Sequence, residues 1–207
     1  MKSLISNVNI YGLQESIKAA KYPMSVDVDS LSTTITPGIE KLATCEKGTG
    51  HDQFLTGITV QFDLTCTNKM WVEMERYRFV NFVSSQSTMH RIEQFSLGDD
   101  AFSPYTDDYM VMRFRDMVEA YNSASEKTPE DRLKLLYSCP SGFRLTARLT
   151  TNYRQLKTIY AQRKNHRLPE WREFCKWLET LPYANWITGK DIKEEMYQKD
   201  LDEQEEE

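Results

Sequence analysis

The sequence has little of what metal and disulfide chemistry require. Three histidines, His51, His90 and His166, stand in no HExxH pattern and beside no paired cysteines, so their spacing excludes the common zinc sites and no metal is expected. Four cysteines, Cys45, Cys66, Cys139 and Cys175, are far apart and form no CxxC pair, which excludes a disulfide framework and predicts reduced, mostly buried thiols. No GxSxG, GxxxxGK[ST] or GxGxxG element occurs, so serine hydrolases and the common nucleotide folds lose their usual signals. No apolar run approaches the length of a membrane span, and the opening MKSLISNVNIYG lacks the continuous apolar stretch of a signal peptide. A cytoplasmic location without membrane association is therefore expected.

Positive charge is also short. Against 31 Asp and Glu there are 26 Lys and Arg, a net charge of -5, and general nucleic-acid binding, which runs on an excess of cations, is excluded. Any anion site must be local. Much of the negative charge lies in KDIKEEMYQKDLDEQEEE, so residues 190–207 read as an acidic C-terminal tail and residues 1–189 as a single domain.

What remains suits a globular core: 40% hydrophobic and 12% aromatic residues with a 28% charged fraction. LISNVNIY at 4–11 reads as a strand, and Gly12 breaks it into a short helix, LQESIKAAKY. A Ser-, Thr- and Asp-rich connection from Pro23 to Pro37 precedes a helical pattern, IEKLATCEK. ITVQFDLTC alternates Ile58, Val60, Phe62, Leu64 and Cys66 against polar residues, as a half-buried strand does. Thr67 or Asn68 caps the next helix, NKMWVEMERYR, with Met70, Met74 and Tyr77 at helical spacing. FVNFVSS is extended again.

Further on, a helix carries Met110, Phe114, Met117, Val118 and Tyr121 on one face, and another opens at Thr128-Pro129. Thr151 or Asn152 caps a long helix with Leu156, Ile159 and Tyr160 inward. Pro169 opens the next, with Trp171, Phe174, Cys175 and Leu178 inward. Strands and helices together give an α+β class.

Two segments concentrate functional residue types. In EMERYRFVNFVSSQSTMHR, from Glu73 to Arg91, Arg76 and Arg78 flank Tyr77 where a helix should end, and their forked donors suit a phosphate or carboxylate. Arginines at a helix end also serve simply to compensate its dipole. Ser84 to Thr88 form a run of short hydrogen-bonding side chains, suited to a polar pocket or to an ordinary turn. In LTTNYRQLKTIYAQRKNH, Asn152 and Arg163 lie eleven residues apart on one helical face. With Arg154, His166 and Arg167 the segment is locally basic, fit for a phosphate or for a solvated surface.

These segments, in this order, resemble the two signature regions of the flavin-dependent thymidylate synthases. The family's Arg-His-Arg core followed by seven residues and Ser is matched by Arg76-Tyr77-Arg78, eight residues and Ser87. GHDQFLTGITVQFDLTCTN resembles the histidine and strand that lead into that helix. Glu73 stands where the family has glutamine, Tyr77 where it has histidine, and Met89 where it has a phosphate-binding arginine, with His90 or Arg91 able to substitute. LTTNYRQLKTIYAQR resembles the Asn-Ala-Arg-Ser-Leu pattern and its later arginine, with Asn152, Arg154, Leu156 and Arg163 in register.

The resemblance implies an antiparallel sheet packed with long helices, a homotetramer, and FAD as cofactor, with folate as one-carbon donor and NADPH as further partners. It places His51, Arg76, Tyr77, Asn152 and His166 at the flavin. It places Glu73, Arg78, Ser87, His90, Arg91 and Arg163 at a pyrimidine nucleotide. The implied function is one-carbon transfer, methyl or hydroxymethyl, to a pyrimidine deoxynucleotide, with no side chain as nucleophile. The alternatives are a non-catalytic nucleotide-binding or regulatory protein on the same scaffold, or a structural protein whose arginines solvate helix ends.

Overall fold

The computed structural model describes residues 3–46 and 48–190; the acidic stretch 191–207 lies outside the described residues. Along the chain run β1 (Ile5–Tyr11), α1 (Leu13–Ala19), α2 (Pro37–Ala43), β2 (Thr59–Thr67), α3 (Asn68–Met74), β3 (Asn81–Ser85), α4 (Thr88–Arg91), α5 (Asp108–Ser123), α6 (Pro129–Ser138), β4 (Arg144–Asn152), α7 (Tyr153–Arg163), α8 (Pro169–Leu178) and α9 (Asn185–Thr188). The strands form one antiparallel sheet in the order β1-β2-β4-β3. No helix among the described residues is long and apolar enough to cross a membrane.

Short polar side chains start the helices as their chemistry dictates. Thr36, Thr67, Asp107, Thr128 and Asn152 each accept a first-turn backbone N–H from their own helix, satisfying donors that the helix itself leaves unpaired. Gly12 at the start of α1 has φ of 72°, and a Cβ there would meet the Gly57 carbonyl at 2.5 Å. The turn that the sequence places at Gly12 therefore needs glycine.

Two compact units divide the chain, one of residues up to Asn7 with Phe62–Leu149, the other of Val8–Gln61 with the residues from Thr150 onward. In the first, α5 and α6 bury Phe114, Val118 and Leu135 with Ile92, Phe102, Phe143 and Leu145. The Phe102 and Phe143 rings sit 5.4 Å apart. In the second, α7 and α8 bury Leu156, Ile159, Trp171, Phe174 and Leu178, and Trp186 of α9 is fully covered. Trp186 donates its indole N–H to Glu40 (2.8 Å) and Tyr153 its hydroxyl to the Pro182 carbonyl (2.7 Å), so large aromatics enter the core with their polar atoms satisfied.

Five details differ from the sequence-based expectation. The alternation Arg144, Leu145, Thr146, Ala147, Arg148, Leu149 forms strand β4, which the sequence reading left unassigned. Helix α3 ends at Met74, before the Arg76-Tyr77-Arg78 run. Helix α2 ends at Ala43, with Thr44 following. Met110 lies 56% exposed in the first turn of α5, and Cys45 and Cys139 are only half-buried.

Candidate functional site

In the first unit the chain leaves α3 through two tight turns. Tyr77 N–H donates to the Met74 carbonyl and Val80 N–H to the Tyr77 carbonyl, both at 3.0 Å. This geometry turns Tyr77 inward, 8% exposed, and leaves Arg76 and Arg78 on the surface. Arg78 lies 5.9 Å from the Phe79 ring centre, and among the described residues neither Arg76 nor Arg78 makes an ion pair. Guanidinium groups without a protein carboxylate are available to an anion.

Strand β3 follows as an edge strand, exposed along all five residues. Its continuation is anchored to β4: Gln86 N–H donates to the Thr146 carbonyl, and Gln86 Oε1 accepts from Thr146 N–H, both at 2.9 Å. Ser87 precedes the single turn of α4 and is half-buried, whereas His90 and Arg91 are exposed. Arg91 donates to Gln94 at 2.9 Å. Glu73 is half-buried on the last turn of α3. On the neighbouring strands Thr65 and Thr146 pair through their hydroxyls at 2.8 Å, and Arg148 donates to the Asn7 carbonyl and to Asp63.

In the second unit α7 carries the other predicted residues. Asn152 Oδ1 accepts from Gln155 N–H at 2.9 Å, so this side chain caps the helix, while Arg163 stands at its last residue. The Arg163 guanidinium lies 4.7 Å from the centre of the buried Trp171 ring, a cation–π geometry that holds the group in place. His166 Nδ1 accepts from Leu168 N–H at 3.2 Å, and its ring is edge-on to Trp171 at 6.3 Å. His51 is exposed.

Asp52, beside His51, was not foreseen from the sequence. It is almost fully covered and receives Arg154 Nε at 2.9 Å and Lys157 Nζ at 3.0 Å. Arg154 also donates to Gln53, and Lys157 to the carbonyls of Ala43 and Cys45. Burial pushes the Asp52 carboxyl up, but the hydrogen bonds and charges of Lys157 and Arg154 outweigh it and hold the group below the usual carboxylate range. The spacing of Arg154 and Lys157, i and i+3 on one helix, is the sequence signal that two cations share a face. Among the described residues no three His, Cys, Asp or Glu side chains gather as metal ligands would.

The structure thus places Asn152 at the cap of α7, Arg163 at its last residue and His166 in the turn after it, and Arg76 to Arg91 along the α3–β3–α4 segment. It resembles a flavin-dependent thymidylate synthase from Helicobacter pylori, solved with FAD and dUMP, with a TM-score of 0.68 at 12% identity, over 88% of this chain and 97% of that one. A second structure of that enzyme, also with FAD and dUMP, gives a TM-score of 0.69 at 12% identity, over 91% and 97%.

The chain has the flavin-dependent thymidylate synthase fold. A UMP/dUMP methylase from Streptomyces cacaoi, bound with 5-bromo-dUMP, resembles this chain at a TM-score of 0.57 and 15% identity, over 86% of this chain and 91% of that one. No family model and no curated protein sequence matches. The sequence resemblance is borne out in the fold.

Proposed function

We propose that this protein binds FAD and a pyrimidine deoxynucleotide such as dUMP, and transfers a one-carbon group, methyl or hydroxymethyl, to the pyrimidine. The observation that carries the reading is the fold likeness over nearly the whole length of an enzyme solved with both ligands. Fold alone does not give function; the residue types at the candidate positions support the reading. FAD carries a pyrophosphate; Arg76 and Arg78 are exposed cations without an ion pair among the described residues, His51 is exposed, and Asn152 is half-buried with its amide oxygen capping α7.

In this reading His51, Arg76, Asn152 and His166 face the flavin, with Tyr77 beside it. Arg78, Ser87 and Arg163 hold the nucleotide, helped by Glu73 and by His90 or Arg91 where Met89 replaces an arginine. Bound flavin supplies hydride equivalents drawn from NADPH, and a folate supplies the carbon. The side chains bind, orient and neutralise: Arg163, held on Trp171, places a fixed positive charge where a phosphate or a polarised pyrimidine carbonyl needs one. No side chain is assigned as nucleophile. A homotetramer, as the resemblance implies, completes the proposal.

Thermal-shift titration tests the binding part. FAD and dUMP are each expected to raise the melting temperature in a concentration-dependent way, because a ligand of the native state stabilises it. Transfer of label from a one-carbon folate to dUMP tests the chemistry. Nucleotide-induced stabilisation without FAD binding or turnover favours the non-catalytic alternative, to which the replacements Tyr77, Met89 and Glu73 point.

A further inference from the structure

An open cleft of about 910 Å³ lies within the second unit, between the end of α7, α8 and the residues up to Lys190. None of the residues assigned above lines it. Its size is that of a small-molecule site, for which roughly 300–1,000 Å³ is usual. Its walls carry four cations, Lys164, Arg172, Lys176 and Lys190, against two carboxylates, Glu173 and Glu179. In a chain of net charge -5, such a local excess of positive charge is unusual.

The charges are not equivalent. Glu179 accepts the Tyr160 hydroxyl at 2.7 Å and Lys190 Nζ at 2.9 Å. Burial pushes its carboxyl up, and these two partners with Lys190 and Lys176 charges bring it below the ordinary value. This glutamate is thus already ion-paired with Lys190. Arg172 is oriented by donating to the carbonyls of His166 and Arg167, at 2.6 and 2.9 Å, and those acceptors leave its charge uncancelled. Lys164, 5.7 Å from the Tyr160 ring centre, and Lys176 are exposed, and among the described residues neither makes an ion pair. Three cations therefore face one carboxylate, Glu173. Tyr160, Pro169 and Cys175 add an apolar floor.

We infer that this cleft is a second anion site, which takes a small molecule bearing paired phosphates, the charged groups meeting Lys164, Arg172 and Lys176 and any organic body covering Tyr160 and Pro169. The inference does not depend on the flavin reading, because none of its residues belongs to that proposal.

Amide NMR of the full chain, titrated without divalent metal with inorganic pyrophosphate and separately with ADP, tests it. Both should shift the amides of Lys164, Lys176 and Glu179, and ADP should add shifts at Tyr160. The double variant K164E/K176E should weaken both at least tenfold, K164Q/K176Q less, with the dUMP response unchanged. Since both lysines are exposed, loss of fold is not expected, and the glutamine pair provides a milder check. Shifts confined to residues outside the cleft, no shifts at all, or equal affinity in K164E/K176E would each overturn the inference.

Discussion

Asp52 and Lys157 meet at 3.0 Å, and the same ammonium group donates to the carbonyl oxygens of Ala43 and Cys45 at 2.8 and 2.9 Å. One lysine on α7 therefore fastens both the end of α2 and the residue next to His51. The contact is covered, with side-chain exposures of 14% and 4%, so its charges are not well screened.

Asp52→Asn should consequently be destabilising well beyond a surface change. Removing one partner leaves Lys157 covered beside neutral groups, and a cost of about 2 kcal/mol is expected, below the range for a fully buried pair because Arg154 remains partly solvated. Urea unfolding measures it. A change under about 0.5 kcal/mol, the range of ordinary surface substitutions, would contradict the role given to this pair.

The pH dependence has a fixed sign. Because the Asp52 carboxyl is held below its ordinary value in the folded protein, its contribution is complete above the unfolded value of about 4 and is lost as pH falls through the lowered one. The stability difference between wild type and Asp52→Asn should be flat from neutral pH to about 5 and shrink below about 4. A difference that grew on acidification would refute the assignment.

At Asn152 the structural and ligand roles can be separated. Asn152→Ala removes the cap to Gln155 and should cost about 1 kcal/mol. Asn152→Ser keeps an acceptor there but lacks the amide donors, so its stability should stay close to wild type while FAD affinity falls about tenfold, the usual weight of one hydrogen bond. Calorimetric titration reads the affinity; an unchanged value would confine Asn152 to capping.

Arg163→Lys keeps the charge but not the planar fork or the stacking on Trp171. We expect dUMP binding to weaken tenfold or more in Arg163→Lys and further in Arg163→Ala, with FAD binding little affected. Equal dUMP affinity in all three proteins would remove Arg163 from the nucleotide site.

Much of the fold was legible because its periodicities are clean. Val60, Phe62, Leu64 and Cys66 alternate and are all fully covered, and Trp171, Phe174, Cys175 and Leu178 recur at helical spacing and are all buried. Strand β4 was missed because arginine and threonine dominate it. Thr146 and Arg148 lie on its polar face, spent on Thr65 and Asp63. Helix α3 was read as too long because Tyr77 continues the inward spacing of Met70 and Met74, and a tight turn serves that spacing as well as another helical turn does. Met110 was placed inward on periodicity, yet it is 56% exposed.

The candidate site was legible as two segments through motif resemblance. Its supporting network was not: Asp52 lies 102 residues from Arg154 and 105 from Lys157, and no local pattern announces a partner at that distance.

The absorbance spectrum of freshly purified protein, taken before and after added FAD is removed by exhaustive buffer exchange, bears most directly on the proposal as a whole. Visible flavin bands that survive the exchange, and that release FAD on denaturation, are the predicted result. A colourless protein that retains no FAD at any concentration tried would contradict it, and would leave the fold serving nucleotide binding alone.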